Sequence, residues 1–262
     1  MQISAKSKLA DSVGSITLDL SWAEFNSQCR GVCDHFLTLA AASLLADFKP
    51  DFFFQNSLRS AENWRRFLLC AQSHYQERPS LMYCEPLYAA INANDLTLVQ
   101  KIKEALPTTW SETVEYQHRF LIPDIFSDVA LSDFQTVSVE LNTKLEQLYE
   151  CEPEPIRAKL FSALLGLDDL TEDDFWDQFE TALYAHEEQI QNKISAVSTK
   201  ISEFIAHRFI WFEGLAWLRL AQHKRFSRPS EHMLFCPDEA LKPNAQTYSG
   251  DWPLVPLPNG TY

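Results

Sequence analysis

The run FIAHRFIWFEGLAWLRLA, Phe204 to Ala221, decides the fold. Its few charged residues are scattered, so apolar side chains lie nearly all round a helical wheel, and such a helix normally sits at the centre of a bundle. The pattern predicts a helix over 203–222 that ends near His223, with Gly214 marking close approach of a second helix.

Upstream, amphipathic helical patterns repeat at spacings of three and four. Ser21 can cap a helix to Ala46 whose stripe holds Trp22, Phe25, Cys29, Val32, Cys33, Phe36, Leu37, Ala40 and Leu44. Lys49-Pro50 is then read as a break and Phe52 to Phe54 as an aromatic loop. Ser60 is expected to cap a second helix with Trp64, Phe67, Leu68, Ala71 and Tyr75 inward, and Arg59, Arg65 and Arg66 around its start and outer face. Shorter pieces follow at about 81–92 and 95–105, then 112–121 and 123–131, with Ile122-Pro123 between the last two. Phe134, Val137, Leu141, Leu145 and Leu148 mark a helix over 133–149. Ile156 to Leu165 forms the next, with Gly166 supplying a left-handed cap. Thr171 to Asp174 resembles a capping box that opens a long stretch to Phe209, expected to hold two helices broken within 191–200.

Six glycines in 262 residues are too few for the turns of an all-β fold, and 46% apolar with 22% charged residues excludes a disordered chain. The expected fold is all-α: a multi-helix bundle of about nine to eleven helices over residues 1–236. Two sub-bundles meeting near residue 150 are the alternative to a single domain. Five of the thirteen prolines fall in 237–262, which predicts an irregular tail wrapping the surface. No repeat of constant period is visible. The N-terminal residues lack the apolar core of a secretion signal, no stretch reaches a membrane span, and six scattered cysteines resemble reduced small hydrophobes. A cytoplasmic protein without membrane contact is expected.

The inventory of chemical motifs is negative. Cys29, Cys33 and His35 in CRGVCDH lack the second ligand pair of a structural zinc site, so the two cysteines are assigned to the buried stripe of their helix. His186-Glu187-Glu188 has isoleucine at position 190 where a zinc protease needs histidine. Neither nucleotide-binding loop can be drawn from six isolated glycines, and Gly14-Ser15 lacks the context of a nucleophile elbow. No enzyme, metal or cofactor is expected.

Charge is regional. Net charge is −14, and residues 145–192 hold thirteen acidic and two basic residues, so nucleic acid is not an expected partner. The densest part, LDDLTEDDFWDQFE, carries Asp168, Asp169, Glu172, Asp173, Asp174, Asp177 and Glu180 beside Trp176. A helix dipole favours carboxylates in the first turn only, and like charges at i,i+3 and i,i+4 repel. The plain alternative is a solvated helix face. An uncompensated acidic surface beside a tryptophan also suits a steered interface with a basic protein, and these eight residues are the candidate binding site.

Phe209 to Lys224, followed by Pro237 and Leu241, resembles the closing segment of the immunity protein 49 family of bacterial polymorphic-toxin systems. The resemblance is carried by Glu213-Gly214-Leu215-Ala216, Leu218-Arg219-Leu220-Ala221 and the proline-then-leucine ending. The Ala61 to Ala71 helix with Trp64 and Arg65 is also similar. A helical family that guards cells against DNase toxins of the PoNe type ends in a comparable helix. The resemblance implies an all-α cytoplasmic protein without catalytic residues that binds and silences one cognate toxin, a basic nuclease being one such partner. It assigns no binding face. A helical scaffold that docks peptides or partner proteins is the competing class.

Overall fold

Local sequence chemistry sets the ends of several helices. The computed structural model describes residues 9, 11–196, 208–229, 233–242 and 254–257. Every regular element among them is helical, and the protein is all-α. Ser21 and Glu24 cap α1 (Trp22–Leu45) reciprocally: the Ser21 N–H donates to Glu24 Oε2 at 3.1 Å and the Glu24 N–H to Ser21 Oγ at 3.4 Å. The helices that follow are α2 (Pro50–Cys70), continued by a π-helical turn at Ala71–Tyr75, α3 (Glu85–Asn92), α4 (Leu96–Ala105) and α5 (Gln117–Leu131). Then come α6 (Val139–Cys151), α7 (Ile156–Leu165), α8 (Glu172–Ala196), α9 (Phe212–Lys224) and a 3₁₀ turn at Asp238–Leu241. Gly166, at φ 68°, closes α7 in the left-handed region. A short helical stretch at 11–15 lies ahead of α1, with Leu9, Val13 and Ile16 buried in the core.

Antiparallel pairing of α1 and α2 is the most extensive contact between helices. Cys29 and Cys33 are fully buried there, as the stripe predicts, and all six cysteines are free. The start of α2 differs from expectation. Pro50 occupies its first turn, where a missing N–H costs nothing, so Phe52, Phe53 and Phe54 are helical and Phe53 and Phe54 are buried. Ser60 caps nothing; it sits in mid-helix and donates to the Cys33 carbonyl at 3.0 Å. Arg59 and Arg66 are buried too. Arg59 reaches Asn56 Oδ1 at 2.7 Å, and Arg66 reaches Glu62 at 2.9 Å and the Val255 carbonyl at 3.1 Å.

Further boundaries differ from expectation, among them the junction at Pro123 and the start of the last helix. Pro123 does not separate two helices but lies within α5. An interior proline costs about 3 kcal/mol, yet Phe120 to Pro123, Ile125 to Ser127, Val129 and Ala130 are all buried, and their packing keeps the helix whole. Residues 112–115 form turns instead. α8 runs unbroken through the first part of 191–200, and 197–207 lie outside the described residues. The last helix starts at Phe212, well after the expected 203, because the Trp211 N–H pairs with the Phe235 carbonyl at 2.9 Å and holds Trp211 extended. An all-round apolar pattern does not distinguish a buried helix from a buried extended segment.

α9 is nonetheless central. Residues Gly214 to Ala221 are buried without interruption. The Trp217 ring centroid lies 4.3 Å from Phe126 on α5 and 4.4 Å from Phe161 on α7, and Phe212 stacks on Phe53 of α2 at 6.2 Å. The nearest neighbour of Gly214 is the ring of Trp211, three residues earlier: a Cβ there would lie 2.7 Å from Trp211 Cζ3. One core cluster includes residues from both sides of position 150.

Side chains of the bundle hold the described parts of the tail by its backbone. Arg219 donates to the carbonyls of Asn92 (2.9 Å), Leu241 (3.2 Å) and Lys242 (3.2 Å), joining α9 and α3 to the 3₁₀ turn. Val255 is fully buried, and its N–H donates to Asn63 Oδ1 at 2.8 Å. Residues 254–257, without regular secondary structure, thus form a strap across α2.

Candidate functional site

α8 presents the acidic segment, and its two faces differ in kind. Phe175, Phe179 and Ile190 are buried. Phe175 meets the Phe226 ring edge-on at 5.5 Å, and Phe179 lies 5.6 Å from Trp211, which fixes the helix against the segments flanking α9. The opposite face carries the carboxylates.

The eight residues expected to form one surface divide into three groups. Asp168 and Asp169 occupy the exposed turn after Gly166, both at positive φ (55° and 60°). Asp174 and Glu172 have internal work. Asp174 Oδ2 accepts from the Thr171 N–H and hydroxyl, each at 2.7 Å, and these bonds hold its carboxyl below the usual range. The capping box is therefore present with aspartate in the glutamate position. Glu172 accepts from the Ser227 N–H and, more distantly, from Trp176 Nε1 at 3.5 Å. Asp173, Asp177 and Glu180 form the third group, exposed and in no ion pair among the described residues. Trp176 lies half-buried beside them, with its ring 5.0 Å from Phe175.

A groove of about 380 Å³ runs along this face. One wall is a stripe of α8: Trp176, Asp177 and Glu180 of the sequence-derived set, continued by Leu183, Tyr184 and Glu187. Pro229, Met233 and Leu234 line the other side and Phe179 the interior. Tyr184 and Leu234 are 62% and 55% exposed, so the groove offers apolar surface to solvent. Tyr184 donates to Glu180 Oε1 at 3.0 Å, which orients that carboxylate along the wall. The spacing 177, 180, 184, 187 would have extended the acidic stripe past Glu180. Nothing in the local pattern announces the far wall, which arrives some fifty residues later in the chain.

A second polar cluster lies half-buried between α7 and α9. Arg157 donates to Glu213 through Nε at 2.6 Å and Nη2 at 3.0 Å, and to Glu152 through Nη1 at 3.2 Å. Trp217 Nε1 adds a longer contact to Glu213 at 3.4 Å. Burial acts to raise the Glu213 carboxyl, but the charge and hydrogen bonds of Arg157 outweigh it and hold that group below its ordinary value. Glu152 shifts upward, because burial there exceeds what Arg157 returns. A small cavity of about 80 Å³, lined by His186, Gln189 and Trp211, adjoins the pair. All three guanidinium nitrogens of Arg157 are engaged, so the cluster joins helices and presents no free cation to a ligand.

Among the described residues no group of three or more His, Cys, Asp or Glu side chains is placed to hold a metal ion. His35 turns back to the Gly31 carbonyl of its own helix. Burial raises the thiols of Cys29 and Cys33 and pushes Cys70 up to about 11, which disfavours the thiolate form that binds metals. No described helix is long and apolar enough to cross a membrane. Compared with known proteins, the chain matches no family model, no curated protein and no solved structure.

Proposed function

We propose that the protein is an immunity protein: a stoichiometric inhibitor that binds one cognate bacterial toxin and covers its active site. The observation that carries this reading is the outer face of α8, where Asp173, Asp177 and Glu180 stand in solvent without an ion-pair partner among the described residues. Unneutralised charge of one sign costs the fold self-repulsion, and a basic partner would relieve it. The Glu213 and Arg219 strings that carry the resemblance to the immunity protein 49 family support it as well. They serve packing here, which suits a family role without catalysis.

A nuclease toxin must present a basic groove to its phosphate substrate. Carboxylates placed in that groove would exclude nucleic acid by competing for the same cations. Electrostatic steering of this kind raises association rates by roughly 10- to 1,000-fold, and salt removes the gain.

The test is purification from cells that co-express the neighbouring reading frames, followed by association kinetics with the captured toxin. A single partner in one-to-one ratio is expected. Asp173→Lys, Asp177→Lys and Glu180→Lys together should slow association at least tenfold at low salt and flatten its salt dependence. Asp174 is left unchanged because it caps α8. Capture of several unrelated partners would favour a helical scaffold instead. Unaltered association by the triple variant would remove α8 from the interface.

A further inference from the structure

The groove beside α8 combines three properties that few surface depressions share. It has room: about 380 Å³ lies within the roughly 300–1,000 Å³ of sites that enclose a small molecule. Apolar side chains line both walls, Trp176, Leu183 and Tyr184 on α8 and Met233 and Leu234 opposite them, with the aromatic rings on the α8 side. Its described polar groups are of one sign: Asp177, Glu180 and Glu187 are carboxylates, and among the described residues no lysine, arginine or histidine lines it.

These properties select an occupant. A purely apolar side chain would desolvate the carboxylates without compensation. A lysine ammonium would satisfy one carboxylate but is a compact, strongly hydrated charge. An arginine matches the whole lining, because its planar guanidinium stacks on aromatic faces, bonds carboxylates with two parallel N–H groups, and sheds water more readily. The volume exceeds one side chain, so a neighbouring apolar residue can enter with it and cover Leu183 and Leu234.

We propose that this groove is the anchor site of the interface, taking an arginine side chain and an adjoining apolar residue from a loop of a basic partner protein. The assignment rests on the reading of α8 as the partner-binding face and adds the chemistry of the group that docks there. The guanidinium lies between Glu180 and Glu187, two turns apart on one face of α8, its stem lies against Leu183, and the groove continues along the helix to Trp176.

The probe is a set of blocked tripeptides, acetyl-Leu-Arg-Leu-amide and its citrulline and lysine counterparts, added to the ¹⁵N-labelled full chain. The indole N–H signal of Trp176, assigned by its loss in Trp176→Phe, is followed by NMR. The arginine peptide should shift that signal saturably, with the citrulline peptide about tenfold weaker and the lysine peptide between them. Glu180→Gln with Glu187→Gln should weaken the arginine peptide about tenfold, and Leu234→Ser should weaken all three peptides alike; unchanged backbone spectra verify that each variant is folded. Equal binding of arginine and citrulline peptides, or no shift of Trp176 with any of them, would overturn the proposal. The toxin experiment reports separately. If the captured toxin binds the Gln/Gln/Ser variant as tightly as it binds the wild type, the groove is not the anchor although the immunity reading stands. An arginine-selective shift of Trp176 in a protein that captures no toxin keeps the groove and removes the immunity reading.

Discussion

α9 and α8 both carry charged residues beside tryptophan, and they use them in opposite ways. On α9, Glu213 and Arg219 point into the protein, and each meets several partners: Arg157 and Trp217 for the one, three backbone carbonyls for the other. On α8, Asp173, Asp177 and Glu180 point outward and meet none of the cations described. A charge largely withdrawn from water must be compensated inside the fold, so the α9 charges are tied to architecture. The α8 charges are under no such demand, and what they do is decided outside the molecule.

Substitutions on the two helices should therefore separate by size of effect. Trp217→Ala should cost about 3–5 kcal/mol in a denaturant titration, since the ring fills the space between Phe126 and Phe161. Glu213→Gln should come next, at about 3 kcal/mol, because it leaves the Arg157 guanidinium under-compensated against a carboxamide. A loss below about 1 kcal/mol would mean that water reaches the pair and that the contrast with α8 is one of degree.

Acidity probes the same contrast without mutation. Burial lowers the pKa of His118 and His223 from an ordinary 6.5, so the folded state holds them neutral. Their contribution is complete above the unfolded value and is lost as pH falls through the folded one. The Glu62 and Glu213 carboxyls, also depressed, follow below their ordinary 4.5. Glu115 and Glu152 are raised and act with the opposite sign, gaining stability as they protonate. The melting temperature should thus begin to fall below about pH 6.5 and fall again below about pH 4.5. His223→Gln should remove part of the first step. At the other end of the scale, Asp173→Asn with Asp177→Asn should leave the denaturation midpoint at or slightly above that of the wild type, as relief of like-charge repulsion predicts.

What was legible in the sequence follows the range of the interactions that fix each feature. The Ser21–Glu24 and Thr171–Asp174 caps and the left-handed Gly166 involve groups a few residues apart, and all three stand where the pattern puts them. The all-α class needed only composition and periodicity. Long-range partners decide the rest. Ser60 looks like a cap until Cys33 lies opposite it, and Arg59 and Arg66 look solvated until Asn56, Glu62 and Val255 meet them. Trp211 is extended because Phe235 pairs with it. On the candidate site, the exposure of Asp173, Asp177 and Glu180 agrees with the charge count. The capping role of Asp174 was half-visible in the Thr171 motif. The groove was not, because Pro229, Met233 and Leu234 reach it only through the tertiary fold.

The strap at Val255 places a constraint on how the chain is made. Its partners Asn63 and Arg66 lie 192 and 189 positions earlier. At a synthesis rate of about 5–20 residues per second, α2 exists for roughly 10–40 s before the residue that satisfies two of its buried polar groups. During that interval the first helical pair has its apolar seam, and Arg66 has Glu62, but the pair lacks the second acceptor for that guanidinium and the donor for the Asn63 carboxamide oxygen. Closure across α2 therefore waits until Val255 has been made, and the nascent protein must keep that path open until then.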